Sequence, residues 1–249
     1  MGYGRRNRSF ATFVGVDLGG GKGKNTAVAL LQRREQAGES NVRVVYVGTR
    51  TPSGQLFHDE VLLKFIREHG KEALLAIDAP LVPTVCMRCS LAFCAGLGEC
   101  TDPVVRWFRK KGDKLVSPER TRHKPPTTPY TQRACEVILY RKHGIPPREA
   151  LGQGMGPLTA RAHYLQRTLE PDFTLNKNLI EVYPKATVQQ LFGAERAQRY
   201  KREVNTWRTR AELLEALREK LIFEVWREGC LQNDHCFDAV VCAFTGFLW

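Results

Sequence analysis

A chain of 249 residues, 43% apolar and 26% charged, has the length and composition for a packed core and is not that of a disordered or fibrous protein. Its longest apolar runs, near 73–77 and 239–249, fall well short of the ~20 residues that a bilayer span requires. Residues 1–9 are basic and polar rather than a secretory leader, so a flexible basic N-terminus, a cytoplasmic setting and no membrane partner are expected. Lys and Arg outnumber Asp and Glu by 38 to 26, and the excess is concentrated. Arg106, Arg109, Lys110, Lys111, Lys114, Arg120, Arg122, Lys124 and Arg133 are offset only by Asp113 and Glu119, which leaves this segment at +7 out of +12. Such a concentration suits a polyanion, DNA or RNA, that releases counterions on binding; a solvated basic loop is the plainer alternative.

Residues 11–18 form an apolar, β-rich run that ends in Gly19-Gly20-Gly21. Two further short strands, 26–31 and 42–48, are expected on either side of the polar stretch 32–41. Val61, Leu62, Phe65 and Ile66 make a helical stripe over 58–69, and 74–78 is the next strand, stopped by Pro80 and Pro83. Three strands, a helix and a strand predict a mixed sheet covered by helices. Segment 85–131 reads instead as an insertion with little regular structure, holding four of the eight cysteines, the basic stretch and then Pro118, Pro125, Pro126 and Pro129. Helices are expected at 132–143, 157–169, 186–192, 210–226 and 235–249, with a strand at 179–183. The whole is expected to be one α/β domain over 10–249 that includes the insertion.

Four acids fall where a sheet edge could gather them: Asp17 and Asp78 end strands, Glu181 lies in the late strand, and Asp238 lies in the last helix. Burying a carboxylate at a strand end is costly without a cation or donor. A hard ion such as Mg²⁺ or Mn²⁺ is one explanation, because it takes oxygen ligands and retains waters. Local explanations exist for each acid singly: Asp17 on the glycine-turn amides, Asp78 on the Ala79-Pro80 turn, Glu181 with Lys185, and Asp238 at solvent. They require four separate coincidences. Asp234 shares a helix face with Asp238, but it or Asn233 is expected to cap the helix.

Val14-Gly15-Val16-Asp17-Leu18-Gly19-Gly20, Ala76-Ile77-Asp78-Ala79-Pro80-Leu81, Glu181-Val182-Tyr183-Pro184 and Phe237-Asp238-Ala239-Val240-Val241-Cys242-Ala243 follow one another in an order that resembles the domain-of-unknown-function 429 family. That resemblance spans roughly residues 10–249 and implies a ribonuclease-H-like fold and a nuclease activity. It also implies that Asp17, Asp78 and Asp238 are metal ligands and catalytic residues, with Glu181 as a fourth. On that reading a water activated by the ion attacks a phosphodiester. A protein that binds nucleic acid without cleaving it is the alternative.

Asp17-Leu18-Gly19-Gly20-Gly21-Lys22 also resembles the first phosphate loop of actin-like sugar kinases. Ile77-Asp78-Ala79-Pro80 lacks the glycine that their second loop needs, and the chain is short for two copies of that core. Lys22 and Lys24 follow Asp17 closely enough to reach a substrate phosphate, or simply to occupy a solvated turn.

Cys86, Cys89, Cys94 and Cys100 place four thiols within fifteen residues. In a reducing compartment such a cluster points to metal, either tetrahedral Zn²⁺ or a [4Fe–4S] cluster, with Zn²⁺ favoured because nothing else calls for electron transfer. Cys135, Cys230, Cys236 and Cys242 are expected in the core. Arg106, Trp107, Lys110, Lys124 and Arg133 interleave cations with aromatics as single-stranded nucleic acid requires, so they are candidate substrate contacts. Phe108 is expected to anchor the segment inside, Arg133 to have an ion-pair option with Glu136, and Arg161 and His163 to face solvent, with contact to substrate as the alternative.

Overall fold

Residues 10–20, 25–36, 39–70, 72–112, 128–145, 149–152 and 154–249 are described by a computed structural model. The expected flexible N-terminus lies outside them.

Strand β1 (Thr12–Asp17) is buried from Phe13 onward, so both of its faces are covered, and it sits at the centre of the sheet. Strands β2 (Ala27–Gln36) and β3 (Glu39–Gly48) extend it in antiparallel fashion. Helix α1 (Asp59–His69) then leads to β4 (Leu74–Asp78), which is parallel to β1. With β5 (Leu179–Glu181) and β6 (Leu221–Phe223) the sheet has the order β5-β4-β1-β2-β3-β6, a mixed α/β arrangement. Both late strands join it in parallel.

The chain divides into two compact units, one formed by residues up to Ala79 together with Tyr164–Trp249, the other by Pro80–His163. The sheet belongs to the first. On one of its faces the α1 side chain Phe65 packs against Tyr46 and Phe57, with ring centroids 5.2 Å from each. The other face is covered by the last helix, α9 (Asp234–Leu248), whose residues Cys236–Phe244 and Gly246 are all buried. A helix apolar on nearly every side must be buried on every side. Accordingly α9 lies across β4, β1 and β2 and is itself packed by α5 (Pro184–Phe192) and α8 (Glu228–Gln232), while α6 (Ala194–Arg202) and α7 (Thr206–Ala216) continue that layer.

Two glycines bring α9 onto the sheet. A Cβ on Gly15 would stand 2.0 Å from the Ala239 carbonyl oxygen and 2.5 Å from the Ala243 nitrogen, so only glycine permits that approach. A Cβ on Gly246 would stand 2.5 Å from the Leu74 side chain. Phe13 meets Phe247 edge to face at 5.7 Å, and the Arg33 guanidinium covers both rings. These contacts pair late residues of α9 with early residues of β1, so the helix runs antiparallel to the strand and its N-terminal turn arrives at Asp17.

The second unit contains a short 3₁₀ turn at Cys86–Arg88, helix α2 (Pro103–Trp107), a π-helical turn over Phe108–Gly112 and helix α3 (Ala134–His143); helix α4 (Gly156–Leu169) begins in it. Asp102 caps α2, its carboxylate accepting from the Val104 amide at 2.8 Å, and Pro103 occupies the first turn. Phe108 is buried, as its apolar ring predicts.

Several boundaries differ from the sequence reading. The polar stretch 32–41 is not a separator: on either side of the hairpin turn it forms the paired arms of β2 and β3. Arg33, Arg34 and Glu35 stand near the connection between the two strands and are half-buried or exposed, so both alternating faces tolerate polarity there. The helix expected over 210–226 stops at Ala216, and Leu221–Phe223 becomes β6, because its apolar residues satisfy the strand edge offered by Val42–Val44. Helix α6 was not anticipated, since it is rich in Arg and Lys and buries only Ala197 and Tyr200. Arg161 is buried rather than solvent-facing, and Cys135 is exposed rather than in the core.

Candidate functional site

Register places the first two acids side by side. Asp17 pairs with Asp78 across the parallel β1–β4 ladder, at the carboxyl ends of both strands. Side chains alternate along a strand, so Asp17 shares the face of Phe13 and Gly15, and Asp78 the face of Leu74 and Ala76. That is the face α9 covers. Asp238 sits one residue before Ala239, which touches Gly15, and it is fully buried beside the same strand ends. Asp17 is nearly buried as well.

Glu181 does not join them. It pairs with Ile77 rather than with Asp78, so its side chain belongs to the opposite face of the sheet, and it is exposed. Of the four acids expected at the sheet edge, three share one face and Glu181 takes the other.

The electrostatics follow from crowding three carboxylates in a low-dielectric site. Burial holds the Asp78 carboxyl well above the usual carboxylate range, and the charges of Asp17 and Asp238 push it further; Lys201 opposes them and Glu181 adds last. Asp238 is raised to about 7, by burial first, against the opposing ammonium of Lys201, with Asp17 adding to the rise. Lys201, on α6, forms an ion pair with Asp238 Oδ2, and the lysine side chain is 36% exposed where the aspartate is 1% exposed. Burial works against the Lys201 ammonium, but the charge and hydrogen bonding of Asp238, with Asp17 and Asp78 behind it, raise it above its ordinary range. Lys201 and the buried hydroxyl of Tyr200 face the Asp238 carboxylate, and their hydrogen bonding to it works against the effect of its burial. Burial and the Asp238 charge push the Tyr200 phenol far up.

His235, in the first turn of α9, holds Asp17: its Nδ1 lies 2.8 Å from Asp17 Oδ2. This hydrogen bond is the leading reason its imidazole is raised above the ordinary value, burial acting the other way. Asn233 caps the helix, its side chain accepting from the His235 amide at 2.9 Å, which settles Asp234 as a first-turn residue rather than the cap. Lys185, second in α5, is lowered by burial and then by Arg202 and Lys201, so these three cations lie close enough to repel one another.

His235, Lys201 and Tyr200 were not singled out in the sequence. His235 precedes Asp238 by three residues, a helix-face spacing that could have flagged it. Lys201 carries no such signal, being one of several cations between Arg196 and Arg202.

In the second unit Cys86 lies within electrostatic reach of the other three thiols of its cluster. Burial raises it first, then Cys100, Cys94, Cys89 and the carboxylate of Asp102. The backbone turns between them are ordered by Cys89 N donating to Cys86 O, Gly96 N to Cys94 Sγ at 3.4 Å and Cys100 N to Gly96 O at 3.0 Å. Cys89 and Cys94 are exposed. Among the described residues, no group of three or more His, Cys, Asp or Glu side chains is disposed to hold a metal ion as it stands, at the thiols or at the acids.

The candidate substrate contacts are dispersed. Arg106 and Lys110 are exposed; Trp107 is half-buried and packs edge to face on Phe108 at 5.4 Å. Arg133 is held inside its own unit: Nε donates to Glu136 at 2.7 Å and Nη1 to the Val82 carbonyl at 3.3 Å, closing the start of α3. It therefore acts as a helix cap. Lys22, Lys24 and Lys124 lie outside the described residues.

A family model described as a protein of unknown function, DUF429, matches residues 15–249. The chain belongs to the DUF429 family. No curated protein and no solved structure matches it. The DUF429 match takes in Gly15, all three gathered acids, and His235 and Lys201. No described helix is long and apolar enough to cross a membrane.

Proposed function

We propose that this DUF429 protein is a divalent-metal-dependent nuclease on a ribonuclease-H-like core. One observation carries the reading: Asp17 and Asp78 stand side by side at the ends of parallel strands, and α9 brings Asp238 to the same face. The order of three strands, a helix, a strand and a last helix, with an acid on the first strand, the fourth and that helix, supports the fold assignment.

The donor set fits a hard ion. It consists of carboxylate oxygens, those of Asp238 fully buried, in a site whose crowding raises two of its acids. Asp17, Asp78 and Asp238 would hold Mg²⁺ or Mn²⁺, which supplies activation of water for attack on phosphorus and neutralises charge on the leaving oxygen. The chain's own groups do the rest. The acids concentrate negative charge, His235 fixes the orientation of Asp17, and Lys201 offsets Asp238. The partner is DNA or RNA, recognised through phosphate by the basic side chains of this +12 chain.

Asp17→Asn is expected to abolish Mn²⁺-dependent cleavage of labelled DNA and RNA oligonucleotides while salt-sensitive binding persists. Cleavage equal to that of the unaltered protein ends the proposal, and binding without cleavage of any oligonucleotide by the unaltered protein favours the inactive binding protein.

For the thiols we propose Zn²⁺ held by Cys86, Cys89, Cys94 and Cys100, with [4Fe–4S] as the other outcome. The donors are soft sulfur atoms on ordered turns, and the exposed Cys89 and Cys94 side chains are not locked by packing. Metal analysis of purified protein, with its visible absorption spectrum, distinguishes zinc, iron–sulfur and neither.

A further inference from the structure

Asp238 is 1% exposed, and its ion-pair partner is a lysine more than a third exposed on a different helix. A structural ion pair buried for stability normally has both charges enclosed and their remaining atoms hydrogen-bonded. Here only the acid is enclosed. The cation reaches in from the solvent side on a flexible four-carbon stem, and its neighbour Tyr200 offers a ring 5.6 Å from the ammonium. A single carboxylate and the Tyr200 ring hold Lys201 in place.

We infer that Lys201 is an exchangeable counter-cation, occupying the Asp238 carboxylate in the ion-free protein and leaving it when a divalent ion takes the three acids. This rests on the divalent-ion reading above. Two positive groups cannot share one buried carboxylate without mutual repulsion, so ion and ammonium compete for the same charge. The device keeps the ion-free site neutral enough to remain folded, and it makes ion binding a replacement rather than an addition. Once displaced, the ammonium stands beside Arg202, its neighbour on α6, and Lys185 on the adjoining α5. Together they form a cationic rim beside the acids.

The test compares thermal unfolding of the full chain and its Lys201→Met variant in EDTA and in saturating Mn²⁺, with Lys64→Met, an exposed helical lysine on α1, as the control. In EDTA, K201M is expected to unfold about 10 °C below the unaltered protein, because one partner of a buried pair is left alone. Mn²⁺ is expected to stabilise K201M more than the unaltered protein and to close most of that gap, since the ion supplies the charge the lysine no longer does. K64M should show neither effect. If K201M does not fold in EDTA, recovery of folded protein in Mn²⁺ supports the inference and failure in both solutions overturns it. A full-sized gap that Mn²⁺ leaves unchanged, or no gap in EDTA, overturns it while leaving the nuclease reading intact if the unaltered protein is stabilised by Mn²⁺ and cleaves. An unaltered protein with neither stabilisation nor cleavage overturns both.

Discussion

The acids and the thiols are two clusters of metal-type donors built on different kinds of backbone. Asp17 and Asp78 are fixed by a strand register, and Asp238 by a helix pressed onto that strand through Gly15. Cys86, Cys89, Cys94 and Cys100 are carried on turns, with two of the four exposed and with Met87, Leu91 and Phe93 exposed among them. Ladder hydrogen bonds and a packed core therefore position the acid cluster whatever it holds. For the thiol cluster, few large side chains are buried nearby to do the same, and the zinc proposed above would supply that order. Rigid packing and ligand-dependent order are separable, and each can be broken without the other.

Removing metal tests that difference most strongly. A strong zinc chelator is expected to make the segment around 86–100 susceptible to limited proteolysis, as is Cys86→Ser, because structural zinc contributes on the order of 10 kcal/mol to folding. The sheet unit should keep its protease resistance under the same treatment. Unchanged cleavage patterns after verified metal loss would show that the turns hold themselves.

Breaking the packed region requires a single methyl group. Gly15→Ala places a carbon against the Ala239 carbonyl and the Ala243 amide, both backbone atoms of a buried helix that cannot rotate away. The helix must move, so a loss of about 3 kcal/mol in chemical denaturation is expected, together with separation of Asp238 from Asp17 and loss of Mn²⁺-dependent cleavage. Retention of full stability would mean that α9 does not seat on β1 as described.

How much of this was legible beforehand follows the same division. The acids at 17, 78 and 238 could be read because strand ends and a last helix leave clear apolar patterns, and a charge that interrupts one is conspicuous. Glu181 misled for a physical reason: apolarity marks β5 as a strand, but only pairing with β4 tells which face a residue takes, and one step of register reverses it. Lys201 was invisible, because a lysine that reaches a buried acid is indistinguishable in sequence from its solvated neighbours. The thiols were legible by spacing alone, as was the Arg133–Glu136 pair, whereas the Arg133 contact with the Val82 carbonyl, fifty-one residues away, was not.

Acidity provides a smaller test of the packed region. In metal-free protein the Asp238 carboxyl titrates at about 7 rather than near its ordinary 3.8. Between those values the unfolded chain has released this proton while the folded one retains it, so stability is greatest at the acid end and falls as pH rises towards 7. The raised His235 imidazole acts in the same direction at higher pH, its contribution being complete below its ordinary value of 6.5 and lost as pH passes the elevated one. The decline attributable to Asp238 is on the order of a few kcal/mol and should flatten in Asp238→Asn, measured by urea unfolding at a series of pH values in EDTA.

The two helix caps sharpen the comparison at the smallest scale, because the same local chemistry occurs in both regions. Asn233 caps α9 beside the acids, and Asp102 caps α2 beside the thiols. Either change to alanine removes one acceptor from a helix start, a loss of about 1 kcal/mol. Their consequences should differ. Asn233→Ala loosens the turn that carries His235, yet α9 remains held by its buried length, so only the stability loss is expected. Asp102→Ala also removes a negative charge that helps raise the Cys86 thiol, so that thiol falls towards its ordinary value. More of it is then thiolate at a given pH, and alkylation of Cys86 by iodoacetamide in metal-free protein should speed up about twofold. An unchanged alkylation rate would mean that Asp102 acts on α2 alone and that the thiols do not sense the helix beside them.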